Sequence, residues 1–369
     1  MSVREADSKA INQFCLLDAP TSQLVDHTGQ VALGWFPAPI PEVNLEQATI
    51  PYFLSWLRHV PVARGWEDWL RSKLRLKAWQ YFSAADSSLL VGVAVANVGY
   101  IADAFLYVAR WQEGSKYEWN ALTPFARGTQ VAASSTEGET FFDNRKLRIV
   151  MENRADGKTF LLRVNAQGDR RRPALSLNLR LQAVVEPLVV SLPLAGGRYS
   201  YTHKLAGLAV EGYLQLDDVR HEFYPQDTFG CLDYSKSYAL RHTYWNWACA
   251  TGRTQEGEAV GFNFVTPTVA GFPENAIWRG GRLNVIEGVR FHFDSTHIMR
   301  PWRIESADGS VELEFEPTGT RAQNVRALLV RNRFHQLYGH FHGRLRDSFG
   351  KTFTIAKLVG VTEEHDVWW

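Results

Sequence analysis

Cysteine is scarce. The 369 residues hold three, Cys15, Cys231 and Cys249, with no paired spacing, which argues against a disulfide framework or a zinc knuckle. So sparse and odd a count suits a reducing compartment, and a cytoplasmic protein is expected. Long apolar runs are missing as well. No stretch approaches the roughly 18 uncharged apolar residues of a membrane helix, and the opening MSVREADSKA carries acids where a signal peptide needs an apolar core. Net charge is close to nil, with 40 Lys and Arg against 39 Asp and Glu. Such a balance offers no footprint for nucleic acid or an anionic membrane, and Arg170-Arg171-Arg172 before Pro173 reads as a solvated turn. Nucleotide chemistry lacks its marks too. Gly92 and Gly99 do not frame a phosphate loop, and no dinucleotide fingerprint leads from a strand into a helix. Ser87-Ser88 and Ser134-Ser135 lack the setting of a nucleophile elbow.

What the chain does have is apolar and aromatic material, 45% and 13% of its residues, arranged with a period of two. In Leu175–Leu181 each leucine alternates with Ser176, Asn178 or Arg180. Val311, Leu313 and Phe315 alternate with Glu312, Glu314 and Glu316, and Val289, Phe291 and Phe293 with Arg290, His292 and Asp294. Successive side chains of a strand leave opposite faces, so this pattern predicts half-buried strands that need a closed or stacked partner surface. Turn pairs separate the runs: Asp156-Gly157, Gln167-Gly168, Gly196-Gly197, Gly280-Gly281, Asp308-Gly309 and Phe349-Gly350. One short flanking helix is expected over 64–76, where Trp66, Trp69, Leu70 and Lys73 share a face before Trp79 opens a strand. The length fits two domains. The proline-rich residues 1–60 predict an extended lead-in, followed by one barrel over 61–190 and a second over 191–369. The boundary is drawn where Pro187, Pro193 and Gly196-Gly197 cluster.

Ionisable and aromatic residues crowd between Tyr199 and Trp278. In Arg241-x-Thr243-x-Trp245-x-Trp247, alternate residues would place a guanidinium, a hydroxyl and two indoles in one line. Two readings of that line are open. In one, Arg241 stacks on an indole and pairs with Asp233 or Glu274 as a plug. Alternatively the same face lines a ligand cavity, in which a carboxylic acid raised in pKa by apolar walls protonates an alkene and the indoles steady the cation. The candidate acids are Asp233 and Glu274. The candidate ligand-binding residues are Lys204, Asp227, Arg241, Thr243, Trp245, Trp247, Asn275 and Trp278. His340 and His342, two apart with His335 nearby, have no third ligand at a recognisable spacing, so no metal is expected. Cys249 reads as a buried structural thiol.

Several motifs in order, Tyr201-Thr202-x-Lys204, Asp227 through Asp233, Arg241 through Ala248 and Glu274-Asn275-Ala276-x-Trp278, resemble a bacterial domain-of-unknown-function family. Lys77-x-Trp79-x-Tyr81, Val98-Gly99-Tyr100, Gln336-x-x-Gly339 and Gly360-Val361-x-Glu363-Glu364-His365 extend the likeness over nearly the whole chain. That family is in turn distantly similar to carotenoid 1,2-hydratase (hydroxyneurosporene synthase), AttH-like proteins, tocopherol cyclase and a eukaryotic survival-factor family linked to ceramide handling. The resemblance implies an all-β chain of two tandem antiparallel lipocalin-like (calycin) barrels, with lipid or isoprenoid ligands. The hydratases carry an Asp-His-x-Trp-Gly element and a Trp-Asp-Trp-Phe strand. Here the corresponding places read Asp227-Thr228-Phe229-Gly230 and Trp245-Asn246-Trp247-Ala248, so the scaffold can be shared without the reaction. The expected function is binding of a hydrophobic lipid- or isoprenoid-like molecule. The alternative is a hydratase, isomerase or cyclase of an isoprenoid-like alkene that needs no cofactor.

Overall fold

The alternating runs become strands. The computed structural model describes residues 22–51, 74–111, 113–327 and 330–369. A first sheet takes β1 (Gly34–Phe36), β2 (Lys77–Ala85), β3 (Leu89–Asn97), β4 (Ile101–Arg110), β5 (Ser115–Pro124), β6 (Thr129–Gln130), β7 (Gly138–Asp143), β8 (Leu147–Asn153), β9 (Thr159–Ala166), β10 (Leu175–Gln182), β11 (Leu188–Leu194), β12 (Arg198–Leu216), β13 (Val219–Phe223) and β14 (Phe229–Ser237). A second takes β15 (His242–Arg253), β16 (Ala259–Thr266), β17 (Asn275–Arg279), β18 (Arg282–Ile286), β19 (Val289–His292), β20 (Trp302–Ser306), β21 (Val311–Ala327), β22 (Val330–Arg346) and β23 (Thr352–Trp368). The sheets are barrel-like, one a half-barrel and the other nearly closed. A 3₁₀ turn covers Leu45–Gln47. The helix expected over 64–76 falls almost wholly outside the described residues, as does Cys15. No helix among the described residues is long and apolar enough to cross a membrane.

The first sheet runs β5-β4-β3-β2-β14-β12-β10-β9-β8-β7-β6, and the second β18-β17-β16-β15-β23-β22-β21-β20-β19. The sheets therefore part between Ser237 and His242. The boundary drawn near 185–197 instead lies inside the first sheet. Gly196 and Gly197, at φ 75° and 66°, make the tight turn of the β11–β12 hairpin, where Leu194 pairs with Arg198. Turn chemistry marks a reversal of the chain, and a hairpin supplies one as readily as a domain boundary. The lead-in is pinned to the same place, because β1 pairs with β11. Of the six turn pairs, Asp156-Gly157, Gly196-Gly197, Gly280-Gly281, Asp308-Gly309 and Phe349-Gly350 join hairpin strands, while Gln167-Gly168 opens a longer β9–β10 loop.

Alternation gives each sheet two buried faces and the molecule three cores. Phe82, Leu106, Ile149, Leu162, Leu179 and Leu205 point into the first barrel, and Phe262, Phe264, Trp302, Phe315, Leu337 and Phe341 into the second. Both interiors are occupied by their own side chains. A third core mixes residues of both sheets, among them Tyr81, Phe105, Tyr107 and Cys231 with Trp247, Cys249, Trp278 and Tyr338. It is the seam between the barrels. Burial of so much aromatic surface, roughly 1.5–3 kcal/mol per large side chain, holds the two sheets face to face.

One position sets how closely they approach. Gly261 on β16 faces Ala206 on β12, and a Cβ there would meet the Ala206 carbonyl oxygen at 2.7 Å and its Cβ at 2.9 Å. Because the obstacle is largely backbone, it cannot rotate away. Gly261→Ala is expected to destabilise the fold by about 1–3 kcal/mol through overpacking, read as a lowered denaturation midpoint in urea. A midpoint equal to that of the parent would mean the seam is slack.

Candidate active site in the seam between the barrels

Strand registers stack the seam in layers. On the first sheet Tyr81 lies opposite Asp233, and Asp233 opposite Lys204. On the second, Trp247 lies opposite Glu363. The two sets face each other, with Tyr81 edge-on to Trp247 at 5.6 Å. One step along, Trp79 and Ser235 face Trp245 and His365. Trp79 and Trp245 stack at 6.5 Å, and Trp245 tilts on His365 at 4.1 Å. One step the other way are Cys231 and Ala206 against Cys249 and Val361. Each layer comes from residues two apart on β2, β14, β15 and β23.

The middle layer is rich in ionisable groups. Lys204 Nζ and Asp233 Oδ2 form a buried ion pair at 2.6 Å, and the same ammonium lies 5.9 Å from the centre of the Trp247 ring. Glu363 is 9% exposed. Burial pushes its carboxyl up to about 8. The Asp233 charge adds to that, while the Trp245 hydrogen bond, Lys204 and Arg321 oppose it. Trp245 Nε1 donates to its Oε2 at 3.4 Å. Burial also raises Glu274, which Lys204 lowers and Asp233 raises in turn. Its backbone is held beside Trp247. Trp247 Nε1 donates to Asn263 Oδ1 at 2.7 Å, and Asn263 Nδ2 donates to the Glu274 carbonyl at 2.8 Å. The hydroxyls of Tyr81 and Tyr107 sit beside one another, and neither completes a well-aligned hydrogen bond.

Of the residues singled out in the sequence, Lys204, Asp233, Trp245, Trp247 and Glu274 converge here. Trp278 joins the seam core, its Nε1 donating to the Glu186 carbonyl at 2.6 Å. Others lie elsewhere. Asp227 is exposed in the turn between β13 and β14. Asn275 is on the alternate register of β17, its Oδ1 accepting the Val265 amide at 2.6 Å. Thr243 shares the seam face of β15 but at its far end, bonded to the Leu240 carbonyl and to Trp369 Nε1. Arg241 precedes β15, exposed, close to Lys77, so alternation does not align it with the indoles.

The arginine that is sandwiched between rings is Arg321. It is 1% exposed, 3.8 Å from the Phe105 ring and 4.9 Å from Phe334, and it reaches Glu118 at 3.3 Å and Asn120 at 2.9 Å. Arg321, Glu363 and Tyr107 were not among the sequence candidates. Only Glu363 left a trace there, inside the Glu363-Glu364-His365 motif. His340 packs on Trp111, and His342 stands beside Glu316 at the register shift between Phe341 and Gly343 in β22. Among the described residues no group of three or more His, Cys, Asp or Glu is placed to hold a metal ion.

Residues 17–369 match the family described as "Domain of unknown function (DUF2804)". The chain belongs to this family. No curated protein matches the DUF2804 chain. Among solved structures it is similar to CghA crystallised with Sch210972, at 12% identity and a TM-score of 0.50, over 79% of this chain and 88% of that one. An AttH-like protein (NE1406) from Nitrosomonas europaea follows at 11% identity and 0.47, covering 79% and 92%. Kievitone hydratase from Nectria haematococca stands at 8% and 0.46, covering 79% and 89%. At these identities the likeness is one of fold.

Proposed function

We propose that the seam binds an apolar, unsaturated small molecule and acts on it with its own side chains, as a hydratase, isomerase or cyclase working by general acid–base catalysis. The observation that carries this reading is Glu363, a buried carboxyl raised to about 8 and set among indoles. A general acid works best with a pKa near the working pH. In the proposed step the Glu363 proton passes to one alkene carbon, and the neighbouring carbon becomes cationic. The Trp247 ring, which already faces the Lys204 ammonium, is suited to positive charge. Water then adds and returns a proton to Glu363, or Glu363 removes a proton from an adjacent carbon. Asp233, bonded to Lys204, serves as fixed charge, and Glu274 is the second acid. CghA, which has this fold, is crystallised with a small molecule, Sch210972.

Retention of a lipid- or isoprenoid-like ligand is the first half of this reading and is tested with it. The protein is incubated in D₂O with a panel of linear and cyclic isoprenoid alkenes, and products are followed by mass spectrometry. At least one alkene is expected to gain deuterium or the mass of water, with weaker labelling in Glu274→Gln and Asp233→Asn variants. Labelling that is undiminished in both variants would remove the two residues from the chemistry. No label in any alkene, with nothing co-extracted from the purified protein, would overturn the proposal.

A further inference from the structure

We propose that Gln336 and Tyr107 select a ligand whose double bond lies close to a hydroxyl group, so that the seam takes an unsaturated alcohol in preference to a plain hydrocarbon. This rests on the seam being the ligand site and adds what selects the ligand. Gln336 stands midway in one row of the second sheet. Arg321 lies opposite it on β21 and Glu363 opposite it on β23, with Trp247 next on β15. Both ends of the row touch the first sheet, Arg321 over the Phe105 ring at 3.8 Å and Trp247 edge-on to Tyr81 at 5.6 Å. Two residues away along β22 on either side, Phe334 meets Phe105 at 6.3 Å and Tyr338 stacks on Tyr107 at 5.9 Å. Gln336 therefore projects into the seam above Phe105 and Tyr107. The Tyr107 ring lies across Gly92 of β3, where a Cβ would meet its hydroxyl oxygen at 2.7 Å. Gln336 is 2% exposed and Tyr107 fully buried. Yet neither the Gln336 Oε1 nor the Tyr107 hydroxyl has a hydrogen-bond partner among the described residues, whereas buried polar atoms are nearly always paired.

An alcohol answers both atoms at once. Its proton goes to the amide oxygen of Gln336, and its own oxygen accepts from the phenol. A hydrocarbon leaves both unpaired, and a site built for a hydroxyl rejects the analogue without one. Opposite residues of paired strands set their Cβ atoms about 5 Å apart, so a hydroxyl on Gln336 stands next to the alkene on Glu363, as in an allylic or homoallylic alcohol. Binding is measured by quenching of tryptophan fluorescence with three probes of one C15 skeleton: an allylic isoprenoid alcohol, its methyl ether and the parent hydrocarbon. The alcohol is expected to bind at least about tenfold more tightly than the hydrocarbon, and the ether, with no proton to give, no better than the hydrocarbon. Gln336→Met, which keeps the length of the side chain, should bring the alcohol down to the affinity of the hydrocarbon. Its urea midpoint should stay level or rise, because an unpaired buried amide is gone. Tyr107→Phe should cut the preference at least threefold, and it carries the test if Gln336→Met fails to fold. Equal affinity for alcohol and hydrocarbon, an ether as tight as the alcohol, or a preference undiminished in both variants would each overturn the hydroxyl site. Because the readout is binding, an alcohol preference without turnover would uphold that site while the acid–base reading fails, and turnover of a hydrocarbon bound as tightly as its alcohol would do the reverse.

Discussion

Glu363→Gln is expected to lower turnover of any labelled alkene by about 10²–10⁴-fold, the usual range for a lost general acid, while raising the stability of the fold near pH 8. The two effects have one source. With its carboxyl held at about 8 in the fold against an ordinary value of 4.5, Glu363 binds a proton that the unfolded chain releases. Its contribution is fully present below pH 4.5 and is lost progressively as pH rises through 8. A neutral amide does not suffer that loss, so the unfolding free energies of parent and variant, from urea titrations, should diverge between pH 5 and pH 8 by an amount on the order of a few kcal/mol. Catalysis in the parent has the complementary sign, since the acid must be protonated. The rate should be level below about pH 8 and fall above it. A variant that is both less stable and fully active would place Glu363 in a structural role and move the chemistry to Glu274.

The strands were legible because their information is local. Leu175 through Leu181 alternate in the sequence and form β10 to within one residue, and Val311 to Phe315 alternate and open β21. Five of the six turn pairs sit at hairpins for the same reason. The division of the chain was not legible. β12 carries on from the Gly196-Gly197 turn for 19 residues and pairs not only with its hairpin neighbours β11 and β13 but also, across them in sequence, with β10 and β14, and those pairings bind the turn into the first sheet. The site divides along the same line. Trp245 and Trp247 could be assigned a common face because a single strand supplies them. Arg321 could not be found that way, as its neighbours Phe105, Glu118 and Phe334 come from β4, β5 and β22. Glu363 alternates with Val361 and His365 like any strand residue, and what raises its pKa is a second sheet laid over it. A pattern of period two also cannot say which buried face is the barrel interior and which the seam.

The Lys204–Asp233 pair gives the largest expected change in stability. Lys204→Met leaves the Asp233 carboxylate, 8% exposed, without its cation in a seam that already holds Glu274 and Glu363. Loss of one partner of a buried ion pair typically destabilises by about 3–5 kcal/mol, whereas replacing both by apolar groups is often neutral or stabilising. Lys204→Met combined with Asp233→Leu should therefore recover most of the loss, which urea midpoints of the single and double variants would show as strong non-additivity. The pH profile separates this from packing alone. Lys204 lowers the Glu363 pKa and Asp233 raises it, so Lys204→Met should move the alkaline fall in rate to higher pH, and Asp233→Asn to lower pH. In the double variant the two influences vanish together and the fall should return close to its original place. If stability recovers in the double variant but the fall never moves in either single variant, the pair holds the barrels together and has no electrical hold on the acid. Movement in opposite directions would tie the ion pair to the protonation of Glu363, through charges fixed by β12 and β14 acting on a carboxyl carried by β23.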